Sequence, residues 1–456
     1  MLPPALPDRP PFAIRARLLT PLDGGGVLDE ADGLVEVDAS GAIVFAGAAA
    51  AASARPGGMP SGVVDRRPWV VLPGMVDLHA HLPQLPNAGI GFALDLLTWL
   101  DRLTFPTERS WADPSVAERL APAIFRAFAA AGTTTVLAYG VVYEAAMDVA
   151  FRAAEAHGIR AILGKVMMDR GTYDETIEPA TILERSMRES AGLIERWHGK
   201  DGGRLGYAVT PRFAVSCTAD LLRESASLAR SAGAWWQTHV SEDPGEIAEV
   251  ARLFPEAVDY VDVYERAGGL GPRAVLAHAI HLSPREVRRL AETGTRVAHC
   301  PASNLFIGAG VMPLAEWLDA GVVVGLGSDV SGGPDPSLFS VMRAGAYAQM
   351  ARRALVQGEG ASSTTPLGPL DWLRLGSLEG ARALGLGDRI GSVEAGKEAD
   401  LIVVDPGLTS PLPGSDSPVP DSADALASRL IFRAHPDMVR GAWVRGRRLE
   451  GPGGAA

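Results

Sequence analysis

From residue 71 onward, short apolar runs alternate with stretches of helical pattern, and this alternation constrains the fold more than any other feature. The runs lie at 71–78, 134–138, 161–166, 206–210, 234–238, 274–277, 296–298 and 322–327. Between them stand helix signals such as Ser283-Pro284-Arg285-Glu286. Its serine can cap a helix, its proline suits the first turn and its glutamate completes a capping box, with Gly294 as the stop. Eight alternating units fit an α/β fold of the (β/α)8 barrel type better than an open doubly wound sheet. The two ends of the chain read differently. β-rich runs at 12–20, 33–38 and 42–45, and again at 391–393, 399–404 and 438–449, predict a small β-sandwich domain built from both termini. The expected organisation is therefore 1–70 and 388–456 as the two parts of that domain, around a catalytic barrel at 71–387. The Gly/Ala-rich stretch 47–62 reads as loop, and the Pro/Ser/Asp-rich stretch 406–424 as a long connection.

A barrel of this kind gathers its chemistry at the C-terminal ends of its strands. His79 and His81 end the first run, Arg212 follows the fourth, His239 the fifth with Glu242 three residues on, His278 the sixth and Asp329 the eighth. Four of the nine histidines thus fall on strand ends, too many for a random scatter. In an extended strand, residues two apart point the same way, so His79 and His81 aim at one point. With His239 and Asp329 they make a plausible set for one divalent transition metal, zinc first and iron as the alternative. Such an ion makes bound water easier to deprotonate. Thr210-Pro211-Arg212 stands where a bridging modified lysine would be needed, so a mononuclear centre is expected. Glu242 reads as general acid/base, and His278 as a group that stabilises an oxyanion or holds the water. Asp329, directly after the apolar run Val324-Gly325-Leu326-Gly327-Ser328, needs a cationic partner. His157, His198 and His435 read as ordinary helix or loop histidines. His281 and His299 either support the site or serve packing.

Composition excludes other classes. The net charge of −12 is wrong for a general nucleic-acid or anionic-membrane binder, and no run is long and apolar enough to span a bilayer. Cys217 and Cys300, far apart in sequence, allow no disulfide framework, and residues 1–11 carry no secretory pattern. The expected setting is the cytoplasm.

The chain resembles the amidohydrolase superfamily. The likeness rests on Pro73-Gly74-Met75-Val76-Asp77-Leu78-His79-Ala80-His81, on the strand-end His239, His278 and Asp329, and on Gly396-Lys397-Glu398-Ala399-Asp400-Leu401. A narrower likeness, to the guanine-deaminating family within it, rests on several short stretches. These are His81-Leu82-Pro83-Gln84, Asn87-Ala88-Gly89, Leu97-Thr98-Trp99-Leu100, Phe105-Pro106-Thr107-Glu108 and Gly164-Lys165-Val166. Thr210-Pro211-Arg212-Phe213, His239-Val240-Ser241-Glu242 and Ala298-His299-Cys300-Pro301-Ala302-Ser303-Asn304-Leu305 complete it. The resemblance implies one zinc ion per subunit on His79, His81, His239 and Asp329, with Gln84, Arg212 and Phe213 meeting a purine. It also implies a homodimer, and hydrolytic deamination of guanine to xanthine and ammonia with Glu242, Asp329 and His278 in catalysis. Arg212 carries donors only, so it suits the O6 carbonyl of guanine and should reject the 6-amino group of adenine. Gln84 can donate and accept. The apolar stretch with Trp99 and Phe105 reads as a lid or a subunit contact. The rivals are a related aminohydrolase acting on a pterin, an oxidised purine or an aminotriazine, and a catalytically silent barrel.

Overall fold

In the computed structural model, the described residues are 5–172, 177–356, 366–412 and 419–451. Eight parallel strands form the barrel: β1 (Met75–His81), β2 (Thr133–Tyr139), β3 (Arg160–Gly164), β4 (Leu205–Pro211), β5 (Trp235–Val240), β6 (Ala274–His278), β7 (Arg296–His299) and β8 (Val323–Leu326). They are neighbours in chain order. A two-residue strand, Val166–Met167, lies off that path and pairs with β4. Every residue of β1 to β6 is buried, as parallel strands covered on both faces require. The expected helix over residue 283 onward forms at Pro284–Thr293, with the Ser283/Glu286 capping box in place and Gly294 at φ 67° as its stop.

First and last strands meet at the C-terminal end. Asp329 N donates to His79 O at 2.7 Å and His81 N to Val330 O at 3.0 Å. Asp77 accepts from the His79 amide (3.1 Å), the Ser328 amide (2.9 Å) and the Ser328 hydroxyl (2.6 Å). The closure thus pulls two of the expected metal-binding strand ends together.

The termini build one seven-stranded sheet, ordered 447–448, 439–444, 401–404, 64–73, 12–21, 27–37, 43–48. It curls on itself: Ala42 bridges Glu398, and Ile43 shares a buried cluster with Leu401 and Trp443. The apolar run that opens the barrel is in fact divided between the two sheets. Residues 64–73 pair with the terminal strands, and β1 starts at Met75. The switch occurs at Gly74, where a Cβ would stand 2.0 Å from Thr134 Oγ1, so only glycine fits.

Two loop expectations need correction. Within the 47–62 stretch, residues 47–48 complete the strand Ile43–Ala48, and Ala49–Ser53 is a short helix, because its alanines can bury Ala49 and Ala52. The 406–424 connection holds a 3-10 turn at Pro406–Thr409 and leads into the helix Ala423–Phe432; positions 413–418 lie outside the described residues, as do 1–4 of the N-terminal stretch.

Candidate active site

The strand ends bring together the side chains that the strand pattern singles out. His79 and His81 come from β1, His239 from β5, His278 from β6, and Asp329 from the turn after β8; each is nearly or fully buried. His81 Nε2 lies 3.2 Å from His79 Nε2, 3.3 Å from His239 Nε2 and 3.3 Å from Asp329 Oδ1, while His79 Nε2 lies 3.1 Å from the same carboxylate oxygen. The edge of a tetrahedron of nitrogen and oxygen ligands about zinc is about 3.3 Å, so these separations are of the right size. His278 joins the group as well: ligand atoms of His79, His239, His278 and Asp329 lie within 4.8 Å of one another. Its Nε2 faces Glu242 Oε2 at 3.3 Å and Asp329 Oδ2 at 4.0 Å.

Neighbours fix how these groups point. His239 Nδ1 is 2.7 Å from the Arg212 carbonyl, which can only accept, so Nδ1 carries the proton and Nε2 turns a lone pair to the centre. The His278 Nδ1 contact to Asn304 Oδ1, at 2.9 Å, does the same for His278. Ser303 donates to Asp329 Oδ2 at 2.5 Å. Both Ser303 and Asn304 sit on the helix Pro301–Phe306, directly after β7. Lone pairs from several rings and a carboxylate aimed at one buried point repel one another unless a cation lies between them. The donor set therefore fits a divalent metal.

Charge states agree with that reading. Burial holds the His79, His239 and His278 rings below their ordinary pKa, His278 at about 4, so they stand neutral. Burial pushes Asp329 upward, but the hydrogen bonds of His79 and His81 outweigh burial and hold it well below the usual range. Glu242 is raised well above its ordinary value, first by burial and then by the charge of Asp329. The backbone is strained at the same places. Ser241 (φ 47°), His278 (72°), Ala279 (52°) and Asp329 (47°) are non-glycine residues in the left-handed region, three of the strand ends being so re-aimed.

A narrow cavity that opens to the surface joins this cluster to the expected substrate residues. His81, His239, His278, Glu242 and Asp329 line it together with Gln84, Arg212 and Phe213. Leu96, Trp99, Leu100 and Ile307 supply apolar wall. The Trp99 stretch thus forms part of the cavity wall, while the Phe105 ring sits 5.1 Å from the Arg212 guanidinium. A wider groove at the other end of the barrel, lined by Arg440, Arg445, Arg447 and Arg448 among others, has no comparable convergence.

Sequence reasoning gave no role to Glu108, Asp77, Ser303 or Asn304. Glu108 lies in a quoted stretch, and an acid within so apolar an insertion was the available signal. His281 turns away: its Nε2 is 2.8 Å from the Ala309 carbonyl. His299 is buried with neither ring nitrogen paired and its pKa lowered to about 3 by burial; it packs 6.4 Å from Trp372.

An eight-stranded barrel that gathers neutral imidazoles and an ionised carboxylate at its C-terminal mouth defines a metal-assisted hydrolase. The amidohydrolase family model matches residues 70–449, and the chain belongs to that family. A probable guanine deaminase of Deinococcus radiodurans is 40% identical over 385 residues, covering 84% of each chain. The guanine deaminase of Escherichia coli is 37% identical over 348 residues, covering 76% of this chain and 75% of that one. A crystal structure of guanine deaminase from C. acetobutylicum with bound guanine superposes with a TM-score of 0.85 at 26% identity, covering 96% of this chain and 99% of that one.

Proposed function

We propose that this chain is an enzyme that hydrolyses guanine to xanthine and ammonia, with His79, His81, His239 and Asp329 holding one zinc ion. The observation that carries the reading is that Gln84, Arg212 and Phe213 line the same cavity as the histidine–aspartate cluster. The likeness to guanine deaminases over most of the chain supports the substrate. Three nitrogen donors with one oxygen suit zinc and iron alike, zinc being the first choice and iron the alternative. An ion held there supplies a water that is deprotonated near neutral pH.

The chain's own residues do the rest. Arg212 donates to O6, and Phe213 sets the wall beside the ring. Glu242 takes the proton of the water that attacks C2 and delivers it to N3. His278, turned by Asn304, stabilises the oxygen that becomes the 2-oxo group. Asp329 takes the second proton of the water and passes it to the 2-amino nitrogen, so that the C2–N bond breaks and ammonia leaves. Atoms balance as guanine plus water giving xanthine plus ammonia.

A homodimer and a cytoplasmic setting belong to the same proposal. Exposed Ile90, Phe92 and Leu97 near the cavity offer an apolar face, and both cysteines are buried thiols. Among the described residues, no helix is long and apolar enough to cross a membrane.

The test is product analysis on purified protein given guanine. Xanthine and ammonia should appear in equal amounts, and Arg212→Lys, which keeps the charge but loses the planar fork, should lower kcat/KM by about 10-fold or more. Protein that carries its metal yet leaves guanine intact overturns the reading.

A further inference from the structure

Both polar side chains that would read the purine edge end on one buried carboxylate. Gln84 Nε2 donates to Glu108 Oε1 at 2.7 Å, and the Arg212 Nη1 and Nη2 groups donate to Glu108 Oε2 at 2.6 Å and Oε1 at 3.2 Å. The Glu108 side chain has 0% exposure and that of Arg212 3%. Glu108 comes from the short helix Phe105–Arg109, far in sequence from both partners, and the Phe105 ring of the same helix backs the guanidinium. Gln84 and Arg212 line the cavity, whereas Glu108 stands behind them.

An amide side chain can present either end, and its two orientations are nearly isosteric. Glu108 removes that freedom. An ionised carboxylate only accepts, so the NH2 end of Gln84 must face it. The other end, Oε1, is buried and has no protein partner. Reversing the amide would set two buried acceptors against each other, a costly arrangement. The edge is thereby fixed as an acceptor, Gln84 Oε1, beside the Arg212 donors.

We propose that Glu108 is the positioning residue that sets the polarity of this edge and so makes the cavity select a lactam over an amidine. The proposal rests on the guanine reading above. Guanine offers N1–H beside C6=O, a donor next to an acceptor, which complements Gln84 Oε1 and Arg212. A 6-aminopurine offers the reverse, an acceptor at N1 beside an N–H donor, and meets like groups at both points. With Glu108 replaced by an amide, residue 108 can donate as well as accept. Gln84 can then turn its NH2 to the cavity and relieve one of the two mismatches. Specificity against the wrong edge arises here from a repulsive arrangement as much as from an attractive one.

The experiment compares guanine with 2,6-diaminopurine, which keeps the 2-amino group and replaces the lactam by an amidine. Water replaces that 2-amino group to give isoguanine and ammonia, and chromatography separates this product from xanthine. In the parent enzyme kcat/KM should favour guanine strongly. Glu108→Gln should cut that ratio by about 10-fold or more, one mismatch being worth at least a factor of this size. Glu108→Asp, still an acceptor, should hold the ratio even where overall activity falls. A general weakening of the site would lower both substrates together, and an unchanged ratio in Glu108→Gln overturns the proposal. Should Glu108→Gln fail to fold, Gln84→Leu removes the fixed acceptor while sparing the Glu108–Arg212 pair. The ratio should collapse there too, and an unchanged ratio overturns the proposal equally. A parent enzyme that does not turn over guanine instead sinks the underlying reading, so the two failures are distinguishable.

Discussion

The two ends of the barrel bury charge in opposite ways. At the N-terminal end, Arg160 opens β3 and gives Nε and Nη2 to Asp400 Oδ2 (3.1 and 3.0 Å) and Nη2 to Glu398 Oε2 (2.5 Å). Arg389 donates to Glu398 Oε1 (3.0 Å), the Arg445 side chain to Glu398 Oε2 (2.9 Å) and the Arg445 amide to Asp400 Oδ1 (2.9 Å). All four carboxylate oxygens have donors, and the cluster ties the barrel to the terminal sheet. At the C-terminal end, His81 Nδ1 and Gln84 Oε1 are buried without a hydrogen-bond partner and His278 Nε2 faces the carboxylates of Glu242 and Asp329, and strained backbone holds Ser241, His278 and Asp329 in place. Carboxylates whose every oxygen meets a donor build structure. Acceptors aimed at one another are stable only with a ligand, and that is what a site is.

This contrast can be broken experimentally, most strongly at the mouth. Removing the bound ion with a chelator should abolish ammonia release, and added zinc should restore it; activity that survives complete removal of metal would void the assignment of His79, His81, His239 and Asp329. Glu242→Gln comes next. It should lower kcat by about 10²–10⁴-fold with metal content unchanged, as expected for loss of a general acid/base. Near-normal kcat with a full complement of metal would show that another group moves the proton.

At the opposite end the effect should fall on stability. Arg160→Met leaves buried Asp400 without its guanidinium and should cost about 3–5 kcal/mol of folding stability, seen as a lower midpoint in urea, with KM for guanine unchanged in the folded fraction. A variant as stable as the parent would mean that the cluster is not a structural tie. The smallest effect is with pH. Burial pushes Glu398 up, but Arg160 and its other arginine partners prevail and bring it from 4.5 to about 2. Its folded pKa lies below its unfolded one, so its stabilisation is complete above pH 4.5 and is lost as pH falls toward 2. Asp400 works the other way, since burial raises its pKa above 3.8. Comparing acid unfolding of the parent with Glu398→Gln isolates the first contribution: the variant should lose less stability between those limits, and parallel acid curves would contradict it.

The same contrast marks what a sequence reveals. The mouth was legible because a barrel puts chemistry at strand ends, so His79, His81, His239, His278 and Asp329 could be placed from apolar runs alone. The helix after Ser283 was legible because its capping box and Gly294 are local. Glu108 was not, because its meeting with Arg212 spans 104 positions and no periodicity reports a side-chain contact across the fold. The division of the opening run at Gly74 was hidden for a related reason. Residues 64–73 and β1 are both apolar and extended, and only their hydrogen-bonding partners tell them apart. Asp77 ties two stretches of backbone together, and Ser303 and Asn304 act by orienting other side chains, roles that residue type does not announce.

The most direct test of the account measures metal content and ammonia release on one purified sample across guanine, adenine, a pterin and an aminotriazine. The account predicts about one zinc per chain and release from guanine far above the rest. A sample with its metal in place that prefers another heterocycle, or one that binds no metal at all, would contradict it.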